Sequence, residues 1–236
     1  MHGVAEMESS IHLVCGPQAD PRTLTISIPE NKNPLNTILV GFTGGIDSSL
    51  LLYLLVKLNR EQQVPYIIQP ITVNSALGSS GPPINEQWHC IPRVIEFVKN
   101  RHNHLINESM FLPGNPRLTM TQQTLQTYNQ ITKNNKNKLL FVGDTEHPPG
   151  MPVGYARNFA PNNKKIMQPF KNLNKSHIVD AISKLDLEDM IDIVPRCFLL
   201  HKYKSSQCEN FFCNERRWAY TVLNRRDLID KFITLE

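Results

Sequence analysis

The sequence predicts an α/β protein built on a doubly wound, mainly parallel sheet, with a small Cys-containing helical appendage at its C-terminal end. Three observations carry this. Residues Ile38 to Phe42 form a short apolar run of the kind that makes a buried parallel strand, and the Gly-rich turn Thr43, Gly44, Gly45 follows at once. Leu50, Leu51, Leu54, Leu55 and Leu58 then repeat at helical spacing. Two later apolar runs, Ile67 to Val73 and Leu139 to Val142, alternate with further helical patterns, and such alternation calls for a parallel sheet covered on both faces.

In chain order, residues 1 to 36 combine β-prone pieces such as Thr23 to Ile28 with Pro17, Pro21, Pro29 and Pro34, which predicts a leader strand or two with irregular connections. The first core strand begins near Thr37. A helix is expected from about Ser48, with Asp47 or Ser48 as its N-cap. After the second strand, a helix over about 84–99 carries Trp88, Ile91, Ile95 and Val98 on one side. A polar helix is expected over about 119–132, and Lys133 to Lys138 read as a solvated turn. The third strand ends at Gly143 and Asp144, before a Pro- and Gly-rich loop, and a helix runs from Ser176 to Leu185. We divide the chain into a leader (1–36), a core (37–190) and a C-terminal cysteine-bearing part (191–236), all of one globular unit. Ligands of such a sheet belong at the carboxyl ends of its strands.

The segment Gly41-Phe-Thr-Gly-Gly-Ile-Asp-Ser-Ser49 has the chemistry of a phosphate cradle. Gly44 and Gly45 let backbone N–H groups approach an anion closely. Thr43, Ser48 and Ser49 add hydroxyl donors at the positive end of a helix, and Ile46 lies between the glycines and the two serines. Asp47 would repel phosphate unless a cation lies between, so it is a candidate Mg²⁺ contact. The loop is neither a Walker motif nor a Gly-x-Gly-x-x-Gly fingerprint. It resembles the Ser-Gly-Gly-x-Asp-Ser signature of the N-type ATP pyrophosphatases, the PP-loop superfamily, with Thr43 where that family usually has Ser. The resemblance implies an adenine nucleotide alpha hydrolase-like fold. It also implies that the loop holds the pyrophosphate portion of ATP while a substrate oxygen attacks the α-phosphorus.

The resemblance continues toward the C-terminus. Gln168, Pro169, Phe170, Lys171 and Lys175 look like the family's second block, in which a lysine at a helix start faces the phosphates; a solvated lysine is the alternative for each. Asp144, ending a strand on the ligand side, is a candidate substrate or Mg²⁺ contact, with Gly143 beside it. His147 reads as a general base or as an ordinary loop residue, and Arg157, with Tyr155 and Phe159 beside it, as a substrate clamp. The tail from Cys197 through Cys208 and Cys213 to Tyr220 is similar to that of 7-cyano-7-deazaguanine synthases, in which four cysteines bind structural zinc. This chain departs from the pattern: only three cysteines are present there, so zinc would require His201 as fourth ligand, and free thiols are the alternative. Cys90 reads as a small core residue or as a sulfur carrier.

Bulk properties exclude little. Hydrophobic residues at 40% and charged residues at 19% are those of a folded chain, and the net charge of +4 is spread over both halves, so nucleic acid is not indicated as a partner. The apolar run Leu50 to Val56 is too short for a membrane, no signal-peptide pattern is seen, and a cytoplasmic location is the default expectation. The expected activity is that of an ATP-dependent adenylating ligase using Mg²⁺. The resemblance to 7-cyano-7-deazaguanine synthases implies a small-molecule acid and ammonia as its substrates, with 7-carboxy-7-deazaguanine converted to 7-cyano-7-deazaguanine. Other PP-loop ends, including tRNA sulfur transfer, other amidations and a non-catalytic nucleotide-binding module, stay open, and a homodimer is admitted.

Overall fold

The computed structural model of the chain describes residues 9–74, 86–104, 106–115, 117–118, 120–133, 137–151, 165–194 and 211–233. Two strands, β1 (Ser9–Cys15) and β2 (Arg22–Ile28), pair as an antiparallel hairpin. The core sheet is parallel and consists of β3 (Thr37–Gly41), β4 (Ile67–Asn74), β5 (Met110–Pro113), β6 (Lys138–Val142) and β7 (Ile166–Met167), in the spatial order β5-β4-β3-β6-β7. Helices α1 (Ile46–Asn59), α2 (Glu86–His102) and α3 (Met120–Lys133) lie between the strands in sequence. They are followed by α4 (Lys175–Lys184), α5 (Glu188–Ile193), α6 (Phe211–Val222) and α7 (Arg226–Ile233).

Alternation along the strands sorts the core into two faces, because successive side chains of a strand point oppositely. Ile38 and Val40 of β3, Ile68 of β4 and Phe141 of β6 join one apolar cluster with α1, α2, α4 and the hairpin. Leu39, Ile71, Leu140 and Val142 join the other, with Tyr128 and Ile131 of α3. The register agrees: Val40 pairs with Phe141 and with Pro70, and Leu39 with Leu140. Helices therefore cover both faces, and the sheet is doubly wound as the alternation of apolar runs predicts.

α1 is buried nearly all round, which explains why its leucines extend beyond a single stripe. The sheet, the hairpin, α2, α4 and α5 enclose it. Its beginning differs from the sequence expectation: the helix starts at Ile46, Gly45 is the N-cap, and Asp47 lies in the first turn. The reason is local, since the hydroxyls of Ser48 and Ser49 both donate back to the Gly45 carbonyl (3.1 and 2.8 Å) and neither caps the helix. α4 starts one residue before the expected Ser176, at Lys175, because Asn174 is its N-cap. The Asn174 side chain accepts from Ser176 N (3.0 Å), and the Asn174 N–H donates to His177 Nδ1 (3.2 Å).

The hairpin is fastened to the core by polar contacts as well as apolar ones. Arg22 chelates Asp20 (2.8 and 3.0 Å), pairs with Glu146 in the loop after β6, and donates to the Asn172 carbonyl (2.6 Å) just ahead of α4. His177, fully buried on α4, contacts the Asp20 carbonyl through Nε2 at 2.9 Å. The leader thus braces two segments, 144–147 and 172–177, that flank the carboxyl end of the sheet.

His102, 5% exposed at the end of α2, packs its ring on Tyr53 at 4.4 Å, and among the described residues its Nε2 is buried with no hydrogen-bond partner. Burial, followed by the charges of Arg60, Lys57, His104 and Arg101, lowers its pKa from 6.5 to about 4. The unfolded chain then binds this proton more readily than the folded one, so the stabilisation is full above about pH 6.5 and is lost as the pH falls toward 4. We expect urea denaturation to show a loss of about 3 kcal/mol from this group between about pH 7 and pH 4, and a shallower acid slope in His102→Gln. An unchanged slope in the variant would contradict the assignment.

Candidate functional site

β3 lies between β4 and β6, and the chain leaves its two sides in opposite directions, so a crevice opens at the carboxyl ends of β3 and β6. The loop that follows β3 fills the floor of this crevice. Phe42 N–H donates to the Ile71 carbonyl (2.8 Å) and Thr72 Oγ1 donates to the Phe42 carbonyl (2.6 Å), which ties the loop to β4. Gly44 adopts φ +74°, a conformation that side chains rarely tolerate, and so turns the backbone toward the helix. Thr43 N–H donates to Ser48 Oγ (3.2 Å), and the two hydroxyls lie 3.2 Å apart, closing the loop on the first turn of α1.

Ser49 N–H bonds the Gly45 carbonyl (3.0 Å), so the amides of Ile46, Asp47 and Ser48 precede the first intrahelical hydrogen bond. These are the donors that a phosphate group would take, at the positive end of the helix. Ile46 contributes only backbone there, because its side chain is 2% exposed in the core. Gly143, at the end of β6, comes so close to this turn that a Cβ on it would stand 3.2 Å from the Asp47 carbonyl oxygen. Glycine there lets the end of β6 abut the loop.

A lysine distant in sequence meets the loop. Lys175, first residue of α4 and 5% exposed, donates through Nζ to Asp47 Oδ2 across 128 residues of chain. Its Nζ also lies 3.8 Å from Oε2 of Glu215, on α6, which is fully buried. Among the described residues Asp47 Oδ1 is buried with no hydrogen-bond partner. A divalent cation fits this atom: an unshared carboxylate oxygen on the first turn of the phosphate-type loop is a hard donor of the kind Mg²⁺ takes. Asp144 is exposed at the strand end, where Gln168 Nε2 reaches its Oδ2 at 3.4 Å.

The remaining sequence candidates fall elsewhere. Lys171 is exposed, whereas Lys175 is buried at the crevice. His147 stacks edge-on against Phe211 of α6 at 5.1 Å. Cys90 is 8% exposed on α2, among the core residues, and Cys213 is 1% exposed on α6. Cys197, His201, Cys208, Tyr155, Arg157 and Phe159 lie outside the described residues. Sequence reasoning passed over Glu215. The signal was present: Glu215 stands one helical turn before Ala219 on the buried face of α6, where a charged residue calls for a partner.

No family model matches the chain. A tRNA(Ile)-lysidine synthase of Enterobacter sp. (strain 638) is 36% identical over 89 residues, which is 35% of this chain and 20% of that protein. The crystal structure of NAD+ synthetase from Burkholderia pseudomallei superimposes with a TM-score of 0.39 at 14% identity, over 81% of this chain and 82% of that one.

Replacing Lys175 by Met would leave the carboxylates of Asp47 and Glu215 without the ammonium between them. We expect this substitution to cost about 3 kcal/mol in urea denaturation. A cost below about 0.5 kcal/mol would show that the lysine is not held as described.

Proposed function

We propose that the chain is an ATP-dependent adenylating ligase that activates an acid substrate and releases pyrophosphate. The observation that carries the reading is the meeting of Asp47 and Lys175, each in the first turn of its helix, beside the hydroxyl-lined loop at the switch point of the sheet. The local similarity to a lysidine synthase and the resemblance of the loop to the PP-loop signature support it.

In this reading the amides at the start of α1 and the hydroxyls of Thr43, Ser48 and Ser49 hold the β- and γ-phosphates of ATP. Asp47 would hold Mg²⁺, which would neutralise phosphate charge there. Lys175 exchanges Asp47 for the departing pyrophosphate, a role suited to a mobile point charge. A substrate carboxylate oxygen forms a bond to the α-phosphorus as the bond from that phosphorus to the bridging oxygen breaks. The protein supplies orientation and charge stabilisation, and no side-chain base is required for this step. Gly143 and Asp144 border the acceptor side.

For the acceptor we propose 7-carboxy-7-deazaguanine, with ammonia displacing AMP and a second activation yielding the 7-cyano product. This rests on the resemblance of the C-terminal cysteines, and zinc on Cys197, Cys208, Cys213 and His201 belongs to the same proposal. A second reading, a tRNA base as acceptor, is favoured by the name of the curated relative. A sulfur relay is less suited to Cys15, Cys90 and Cys213, which are all buried; burial raises the Cys15 thiol to about 11, away from the reactive thiolate.

The test is pyrophosphate release from ATP and Mg²⁺ by the purified chain, with and without 7-carboxy-7-deazaguanine and ammonium, and separately with unmodified tRNA. We expect acceptor-dependent release that falls at least about a hundredfold in Asp47→Ala. Release with tRNA alone would move the acceptor to the second reading. ATP binding without release under any acceptor would indicate a nucleotide-binding module.

A further inference from the structure

We infer that Glu215 is a positioning residue for Lys175, so that α6 forms a third wall of the ATP site; this rests on the function proposed above. Two contacts place α6 there. Glu215 Oε2 stands 3.8 Å from Lys175 Nζ in a fully buried position, and Phe211, one helical turn earlier, packs edge-on against His147 in the loop after β6. The helix therefore touches the two segments, 144–147 and the start of α4, that border the crevice beside the loop.

The lysine needs such a second anion for a physical reason. Lys175 is almost wholly buried, and its closest partner is Asp47, the residue whose other oxygen fits a cation. When Lys175 gives up Asp47 for a phosphate, an ammonium paired with Asp47 alone would lose the one protein side chain that fixes its position. Glu215 lies outside the phosphate loop, on a different element, and its carboxyl group stays beside Nζ whichever partner the loop offers. It thus limits where the flexible four-carbon stem can carry the ammonium, holding it at the mouth of the loop. Glu215 touches neither nucleotide nor substrate in this account and acts only through the lysine.

The experiment is calorimetric titration of the full chain with inorganic pyrophosphate in excess Mg²⁺, together with thermal melts, for the wild type, Glu215→Gln, Glu215→Asp, Lys175→Gln and the double variant Glu215→Gln/Lys175→Gln. We expect Glu215→Gln to bind about tenfold more weakly, Glu215→Asp to recover most of the affinity, and the Glu215→Gln effect to vanish in the Lys175→Gln background. Equal affinity in Glu215→Gln and wild type would overturn the inference. So would a loss of the same size with and without Lys175, since that is what a helix merely loosened from the core would give, accompanied by a lowered melting temperature. If the wild type binds no Mg-pyrophosphate at all, the ATP reading itself fails and this role falls with it.

Discussion

The crevice beside the glycine-rich loop depends on the reversal of strand order at β3. The chain proceeds outward from β3 through α1 to β4 and through α2 to β5, all on one face, and then returns across the other face by α3 to place β6 against the open side of β3. Connections between parallel strands keep one hand, so winding in both directions from a common strand forces the helices to opposite faces and leaves a crevice at the carboxyl ends. Into that crevice project the turn between β3 and α1 and the end of β6, with Gly143 permitting their close approach.

The crevice gathers charge that a core would otherwise exclude. An ammonium 5% exposed and a fully buried carboxylate are costly to desolvate, and a buried ion pair is seldom worth more to stability than apolar residues of the same volume. Under the proposed function the arrangement serves exchange. Lys175 has Asp47 on the loop and Glu215 on α6, so a charge arriving at the loop can take over one partner while the other remains. The leader hairpin serves the same geometry from outside, since Arg22 ties Glu146 and the Asn172 carbonyl together and His177 contacts the Asp20 carbonyl. Residues 9–28, to which the sequence assigns no chemistry, thus brace both flanks of the crevice.

How much of this was legible in the sequence follows from which signals are local. The β3–loop–α1 unit was readable because a buried strand, paired glycines and periodic leucines occur within some twenty residues and each has one structural meaning. β4 and β6 were readable as short, mainly apolar runs, most of whose residues are buried. β5 was missed because Met110, Phe111 and Pro113 are largely exposed on a short edge strand, so no burial pattern marks it, and β7 is only two residues long. The start of α1 was misplaced by two residues because Asp47 and Ser48, good caps on composition, lie inside its first turn, where the Ser48 hydroxyl turns back to Gly45. Glu215 could be flagged only by noticing a charge on the buried face of α6; its partner, 40 positions earlier, is set by packing of α6 on α4, which no local pattern encodes.

The most direct test of the account is a crystal structure of the full chain with Mg²⁺ and an ATP analogue whose α,β-bridge is a methylene. The account predicts the phosphates on the amides of residues 46–48 and the hydroxyls of Thr43 and Ser48, the cation on Asp47, and the Lys175 ammonium moved from Asp47 to a phosphate oxygen. Phosphates bound away from this loop, or a Lys175–Asp47 pair unchanged beside bound nucleotide, would contradict it.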